Sequence, residues 1–354
     1  MTRTGSAVRQ PAEWEHHSAV WTAWPSHPEY WEGHIASARQ DMAAFLHALT
    51  KDIPGSEQRE RLELFVDGEE AEASLHELVP NADLNLYRFS FGDIWFRDIA
   101  PIFVQNSGGS LEYRKFGYNG WGGKYVMEND EKVAPEVARL MGLPGCSVSM
   151  IFEGGAVDVD GTGLGLTTSS CLLNPNRNPS MGKEEIETVL REHLGIETMI
   201  WLKDGLLNDH TDGHVDNIAR FVAPGKVACQ HPAGNDDPNR EVLTEIVEDL
   251  RSCRLASGKA LDVVEIPSPG RVTDDCGNIL PASHLNFYIS NDKVLVPVFG
   301  TETENEAVAA IADLFPDRIV TGLPAKGLLM GGGTFHCITQ QQPSLASMAG
   351  ACEI

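Results

Sequence analysis

A four-part cycle runs through this 354-residue chain, and few folds can accommodate it: amphipathic helix, apolar strand, loop, β-hairpin. Residues 35–49 set the pattern, because Met42, Phe45, Leu46 and Leu49 follow the i, i+3, i+4, i+7 spacing of a helix with one buried face. The apolar run 62–66 reads as a buried strand, and a second helix over 69–79 stops before Pro80. Helices are then predicted near 133–141, 184–194, 240–250 and 304–314, recurring at roughly 50–65 residues, longer than the common repeat families. Strands follow near 147–151, 198–202, 261–266 and 318–322, and 84–90 follows the 69–79 helix in the same way. Hairpins are predicted over 156–168, 218–229 and 285–299, turning at Asp160-Gly161, Pro224-Gly225 and Asn291-Asp292.

Alternating helices and strands ordinarily indicate a doubly wound parallel sheet. The hairpins argue against it, because a parallel sheet crosses over directly through a helix. A radial set of ββαβ units fits better, and it brings the five loops that follow the strands to one central site. No charge block, Pro-rich linker or low-complexity stretch marks a domain boundary, so residues 1–354 are read as one domain.

Composition excludes several classes. With 27 Lys and Arg against 51 Asp and Glu, the net charge is −24, which disfavours nucleic acid and anionic membrane as partners. The seven cysteines include no C-x-x-C pair, so neither a disulfide scaffold nor a zinc ribbon is expected. No apolar stretch resembles a signal peptide or approaches the ~18 residues of a membrane span. A cytoplasmic setting is expected, and homo-oligomer formation is left open.

The five loops carry reactive residue types beside glycines: Asp93 to Asp98, then Glu153-Gly154-Gly155, then Asp209 to Asp216 with His210 and His214, then a stretch with Asp274, Asp275, Cys276 and His284, then Gly331 to Cys337. A cysteine thiolate can attack an electron-poor carbon with a histidine as acid and then base. Paired carboxylates can each accept two N–H groups of a planar guanidinium, and that cation offsets the repulsion of burying several acids together. A guanidine carbon is therefore a suitable electrophile.

These segments resemble the agmatine deiminase family, related to the bacterial-type peptidyl-arginine deiminases of the guanidino-group-modifying superfamily. The resemblance lies in PAEWEHHSAVWTAWP (11–25), WFRDIAP (95–101), FGYNGWGGKY (116–125), EGGAVDVDG (153–161), LTTSSCLLNPNRNP (166–179), DHTDGHVDNIARF (209–221), NFYISNDKVLVPVFG (286–300) and GGGTFHCITQQQP (331–343). It implies an α/β fold, the five-bladed α/β propeller (pentein) of pseudo-fivefold ββαβ units. It implies Cys337 as nucleophile, His214 as general acid and base, Glu153 as the carboxylate that orients His214, and Asp98 and Asp216 as the pair that grips the guanidinium. The implied reaction is hydrolysis of agmatine to N-carbamoylputrescine and ammonia through a thiouronium on Cys337, with no metal or organic cofactor. Trp95 and Asp212 are candidates for the substrate's tail. Asp158 and His284 stand where many relatives carry His and Tyr.

Alternatives remain at individual positions. His210-x-x-x-His214-x-Asp216 has zinc-ligand types, although Thr-Asp-Gly interrupts any helix there. Asp158 begins a calcium-like stretch that lacks the required final Glu. Asp216 could pair with Arg220, and Arg177 could fasten the NPNRNP turn. Two other activities use the same Cys and His: deimination of arginine or peptidyl-arginine, and amidino transfer to an amine.

Overall fold

The computed structural model describes residues 8–53, 59–255 and 258–344. Cys352 lies outside the described residues. Five small sheets follow one another along the chain, built to one plan. The second of them shows the plan at its simplest. Val157–Val159 and Leu164–Thr168 form an antiparallel hairpin, the helix Lys183–Leu194 crosses over, and Thr198–Leu202 returns parallel to Leu164–Thr168.

The sequence specifies that helix at several levels. Glu184 and Glu185 lie in its first turn and Arg191 and His193 in its last, each favourable to the helix dipole. Ile186, Leu190 and Leu194 recur every four residues and are buried, each contributing about 1.5–3 kcal/mol of apolar burial. Gly195 stops the helix at φ 76°, where a Cβ would also lie 2.2 Å from the Val8 carbonyl oxygen.

The third sheet repeats the plan with Ala219–Ala223, Lys226–His231, the helix Arg240–Ser252 and Asp262–Pro267. The fourth does so with Tyr288–Ile289, Lys293–Val298, the helix Glu304–Leu314 and Ile319–Pro324. The first uses Ile102–Asn106, Leu111–Gly117, the helix Asp130–Met141 and Gly145–Ile151, with Val8–Arg9 added at its margin. Its hairpin lies outside the three predicted from the sequence, although Asn106-Ser107-Gly108-Gly109-Ser110 is an evident turn cluster.

The fifth sheet is made from both ends of the chain. Gln340–Pro343 pairs antiparallel with His17–Ala23, the helix Ile35–Thr50 crosses over, and Arg61–Val66 returns parallel. A second helix, Glu69–Leu78, adds one more parallel strand, Asn85–Arg88. This pairing brings residues more than 300 positions apart into register, Gln340 opposite Trp21. Apolar cores fill the spaces between neighbouring units, such as Val104, Phe152, Ile186 and Leu190 between the first and second.

Each sheet hands the chain to the next through one connection: 89–101, 152–156, 203–218, 268–287 and 325–339. The turns inside three of them touch: Phe96–Ile99 packs on Gly154–Ala156, which packs on Val215–Asn217.

Candidate active site

All five connections deliver a polar group to one buried cluster. Its centre is marked by Gly155. A Cβ built there would lie 2.6 Å from His214 Nδ1, 3.0 Å from Asp216 Oδ2 and 3.1 Å from Asp98 Oδ1. Three connections thus converge within the width of a methyl group, and only glycine leaves the space open. Cys337, 7% exposed, stands beside them with its Sγ 3.7 Å from Asp216 Oδ2. The fourth connection contributes Asn286, whose Nδ2 donates to the Cys337 sulfur at 3.1 Å and to Asn217 Oδ1 at 3.0 Å.

The two aspartates are held differently. Asp98 accepts from the Gly155 backbone N–H at 2.9 Å and from the Trp121 indole N–H at 2.8 Å. Burial, with the negative charges of Asp216 and Glu153, pushes its carboxyl up to about 8. Burial alone would raise Asp216 too. The 2.7 Å hydrogen bond to His336 Nδ1 and that ring's charge instead hold it below the ordinary carboxylate range, and its Oδ1 is buried without a partner.

His214 is 1% exposed, and neither ring nitrogen has a hydrogen-bond partner. Nδ1 lies 3.8 Å from Asp98 Oδ2. Burial pushes the imidazole down to about 3 against the opposing pull of Asp216. Burial also drives the Cys337 thiol well above its usual value, reinforced by Asp216 and Asp98 and opposed by Thr334 and Asn286. The cluster is therefore short of one positive charge.

Glu153 is fully buried, and Arg177 Nε donates to both of its oxygens at 2.9 and 3.0 Å. Burial raises its carboxyl while Arg177 opposes the rise. A carboxylate oxygen of Glu153, a His214 ring nitrogen and the Cys171 sulfur lie within 4.8 Å of one another, a set of zinc-compatible donors. A divalent ion does not fit there, because the Arg177 guanidinium already occupies both carboxylate oxygens. His210 is outside this group. It is exposed, its ring 5.5 Å from Tyr125, over the glycines that precede Cys337.

The family of Porphyromonas-type peptidyl-arginine deiminases matches residues 9–343. The chain belongs to that family. Agmatine deiminase of Stutzerimonas stutzeri is 36% identical over 97% of this chain and 99% of that protein. The solved agmatine deiminase of Enterococcus faecalis superposes with a TM-score of 0.85 at 30% identity, covering 97% and 99% of the two chains. An amidinotransferase of the saxitoxin pathway from Microseira wollei, 14% identical with a TM-score of 0.54 over 96% and 99%, shares the mixed α/β fold alone.

In this deiminase-family chain, Trp95 meets the glycine loop that precedes Cys337. It is buried, donates to Asp93 at 2.8 Å, stacks on Trp31, and its ring lies 2.8 Å from a Cβ built at Gly333. Asp212 is not free to meet a substrate tail. Its oxygens accept from Lys124 at 2.6 Å, Arg177 at 2.7 Å and Asn176 at 2.9 Å. Arg177 fastens its turn and also neutralises Glu153, a second task the turn pattern did not reveal. Asp216 turns to His336, while Arg220 pairs with Glu13 and Asp158. Asp158 also accepts from the Phe221 backbone N–H, and His284 faces the Pro297 carbonyl at 2.8 Å. Both departures from the family pattern are thus engaged in the scaffold. Trp121, Asn286, His336 and Glu13 were not singled out from the sequence. The one available signal was a polar residue inside an apolar motif, as in Leu285-Asn286-Phe287.

Proposed function

We propose that this protein is an agmatine deiminase, hydrolysing agmatine to N-carbamoylputrescine and ammonia. The full-length similarity to proteins of that name supports the substrate. The observation that carries the chemistry is the meeting of His214, Asp216 and Asp98 around Gly155, with the Cys337 sulfur beside Asp216.

A guanidinium is flat, cationic and rich in N–H donors, and it supplies the charge that the cluster lacks. Asp98 and Asp216 grip it and set its carbon against Cys337, so attack becomes a local event. The arriving cation displaces the Asp98 proton. His214 Nδ1, 3.8 Å away and otherwise unpartnered, is the acceptor in reach. The same cation and the Asn286 N–H favour the thiolate over the buried thiol, and the thiol proton is released to solvent as the substrate binds. The sulfur attacks the guanidine carbon, and imidazolium at His214 protonates the departing nitrogen, which leaves as ammonia. A thiouronium remains on Cys337. Neutral His214 then takes a proton from water, the hydroxyl adds to the carbon, and the C–S bond breaks as the hydroxyl proton passes to the departing sulfur, which releases the neutral ureido product and restores the thiol. Glu153 stands within 4.8 Å of a His214 ring nitrogen, but its oxygens hold Arg177 and neither imidazole nitrogen has a hydrogen-bond partner, so the expected orienting bond from Glu153 to His214 is not made.

The five sheets of one plan, closed by the pairing of both chain ends, support a five-bladed α/β propeller forming one catalytic domain. Among the described residues no helix is long and apolar enough to cross a membrane, and the proposed setting is cytoplasmic.

Ammonia release, measured side by side with agmatine, arginine and a blocked arginine peptide, tests the reading. Agmatine is expected to be the preferred substrate, and no release from any of the three without an acceptor amine removes the deiminase. Cys337→Ala is expected to fold normally and show no turnover. Retained turnover removes Cys337 as the nucleophile.

A further inference from the structure

We propose that Glu13 and His336 form a positioning pair that assigns charge between the two guanidinium-binding aspartates, holding Asp216 as the carboxylate so that the shared proton of the empty site resides on Asp98. The proposal rests on the functional reading above and concerns residues that touch no substrate.

His336 is buried between two acids. Its Nδ1 lies 2.7 Å from Asp216 Oδ2 and its Nε2 lies 2.9 Å from Glu13 Oε2. Glu13 and Asp216 are both held below the ordinary carboxylate range, and ionised carboxylates only accept, so the pairing assigns an N–H to each ring nitrogen, an imidazolium. Glu13 is itself pinned. Arg220 Nη2 donates to Oε2, the Ile289 backbone N–H donates to Oε1 at 2.8 Å, and Arg97 stands 3.8 Å away. Arg220 in turn reaches Asp158 and the backbone carbonyls of Leu285 and Phe287. A rigid train of alternating charges therefore leads from Arg220 through Glu13 and His336 to Asp216, and ends beside the reactive sulfur.

Asp98 has no comparable cation. Its partners are neutral N–H groups of Trp121 and Gly155, and the charges nearest to it are Asp216 and Glu153. Two acids that cannot both ionise divide one proton according to their surroundings. The imidazolium decides the division. It also occupies only Oδ2 of Asp216, leaving Oδ1 free for a guanidinium. Asp216 is further faced by His214, Arg220, Asp98, Asp209 and the Cys337 thiol, and burial of Asp216 works against its charge.

The test is the pH dependence of kcat/KM for ammonia release from agmatine in His336→Asn and Glu13→Gln. In the parent enzyme the substrate displaces one proton, so the acid limb falls about tenfold per pH unit. In His336→Asn, Asp216 also holds a proton, and the limb steepens towards a hundredfold per unit. It moves up by about one unit or more, and activity recovers towards the parent value above the limb. Glu13→Gln, which preserves shape, moves the limb in the same direction by less. The position and slope of a limb do not depend on how much enzyme is active, so partial unfolding of either variant does not obscure the result. A uniform loss at every pH, or an unmoved limb in both variants, overturns the pairing. Turnover by the unaltered enzyme judges the functional reading, and the shape of the limb judges the pair.

Discussion

Gly155→Ala is the sharpest perturbation of the proposed site. Gly155 does not adopt positive φ, so alanine is acceptable to the backbone and the added methyl acts only through its contacts. Those contacts are with three side chains assigned to the chemistry: His214 Nδ1 at 2.6 Å, Asp216 Oδ2 at 3.0 Å and Asp98 Oδ1 at 3.1 Å. Ordinary contact begins near 3.4 Å, so the imidazole must yield by about 0.8 Å. It has little freedom to do so, being 1% exposed in a packed interior. Overpacking of this kind costs about 1–3 kcal/mol of stability. The effect on rate is expected to be larger, because a displacement near 1 Å of a reacting group can cost about 100-fold. The methyl also fills space that the guanidinium needs. We expect kcat/KM for agmatine to fall at least ~100-fold while the denaturant midpoint falls modestly. A folded Gly155→Ala enzyme with kcat/KM within about threefold of the parent refutes the convergence argument.

Further outcomes test the charge arrangement. Because Asp98 carries its proton up to about 8, the apparent affinity for a guanidinium should weaken about tenfold per unit below that pH; a flat profile of kcat/KM between pH 6 and 8 contradicts it. Asp98→Asn should abolish turnover yet raise the melting temperature relative to the parent at pH 9 more than at pH 5. A carboxyl whose folded value is raised stabilises fully below its unfolded value, and that contribution is lost as pH climbs towards about 8. Arg177→Met leaves the Glu153 carboxylate buried without its cation and should cost about 3–5 kcal/mol in chemical denaturation, with the double change Arg177→Met, Glu153→Gln recovering part of the loss.

Much of this arrangement was legible in the residues. Helices such as Lys183–Leu194 announce themselves through apolar spacing and a terminal glycine, and hairpins through Asp160-Gly161 and Pro224-Gly225. Because the cycle repeats in phase, the loops that hold Asp98, Glu153, His214 and Cys337 could be assigned to one place before any coordinate. The invisible part is pairing between distant side chains. Nothing local tells Arg177 to neutralise Glu153, tells Asp212 to join Lys124 and Asn176, or tells Glu13 to reach His336, 323 positions away. Asp274, Asp275 and Cys276 have reactive types in the right connection, but Asp274 closes an exposed turn on the Cys276 and Asn278 backbone N–H groups. Asn286 in the same connection reaches the sulfur instead. Residue type and phase locate a site; which donor faces which acceptor is settled only by packing.

The charge pattern also bears on turnover. The cluster buries Asp98, Asp216 and Glu153 with Cys337; Arg177 answers Glu153 and, on the pairing proposed above, His336 answers Asp216, while Asp98 is met by neutral N–H groups. The remaining vacancy suits a guanidinium. The ureido product occupies nearly the same volume but is neutral, so it cannot hold Asp98 in its charged form, and the proton returns to that carboxyl as the product forms. Substrate and product then differ at the site chiefly by one positive charge. In a buried setting that difference is worth several kcal/mol in affinity. The same unanswered acid that draws the cation in thus also lets the neutral product go, without any moving part being needed to distinguish them.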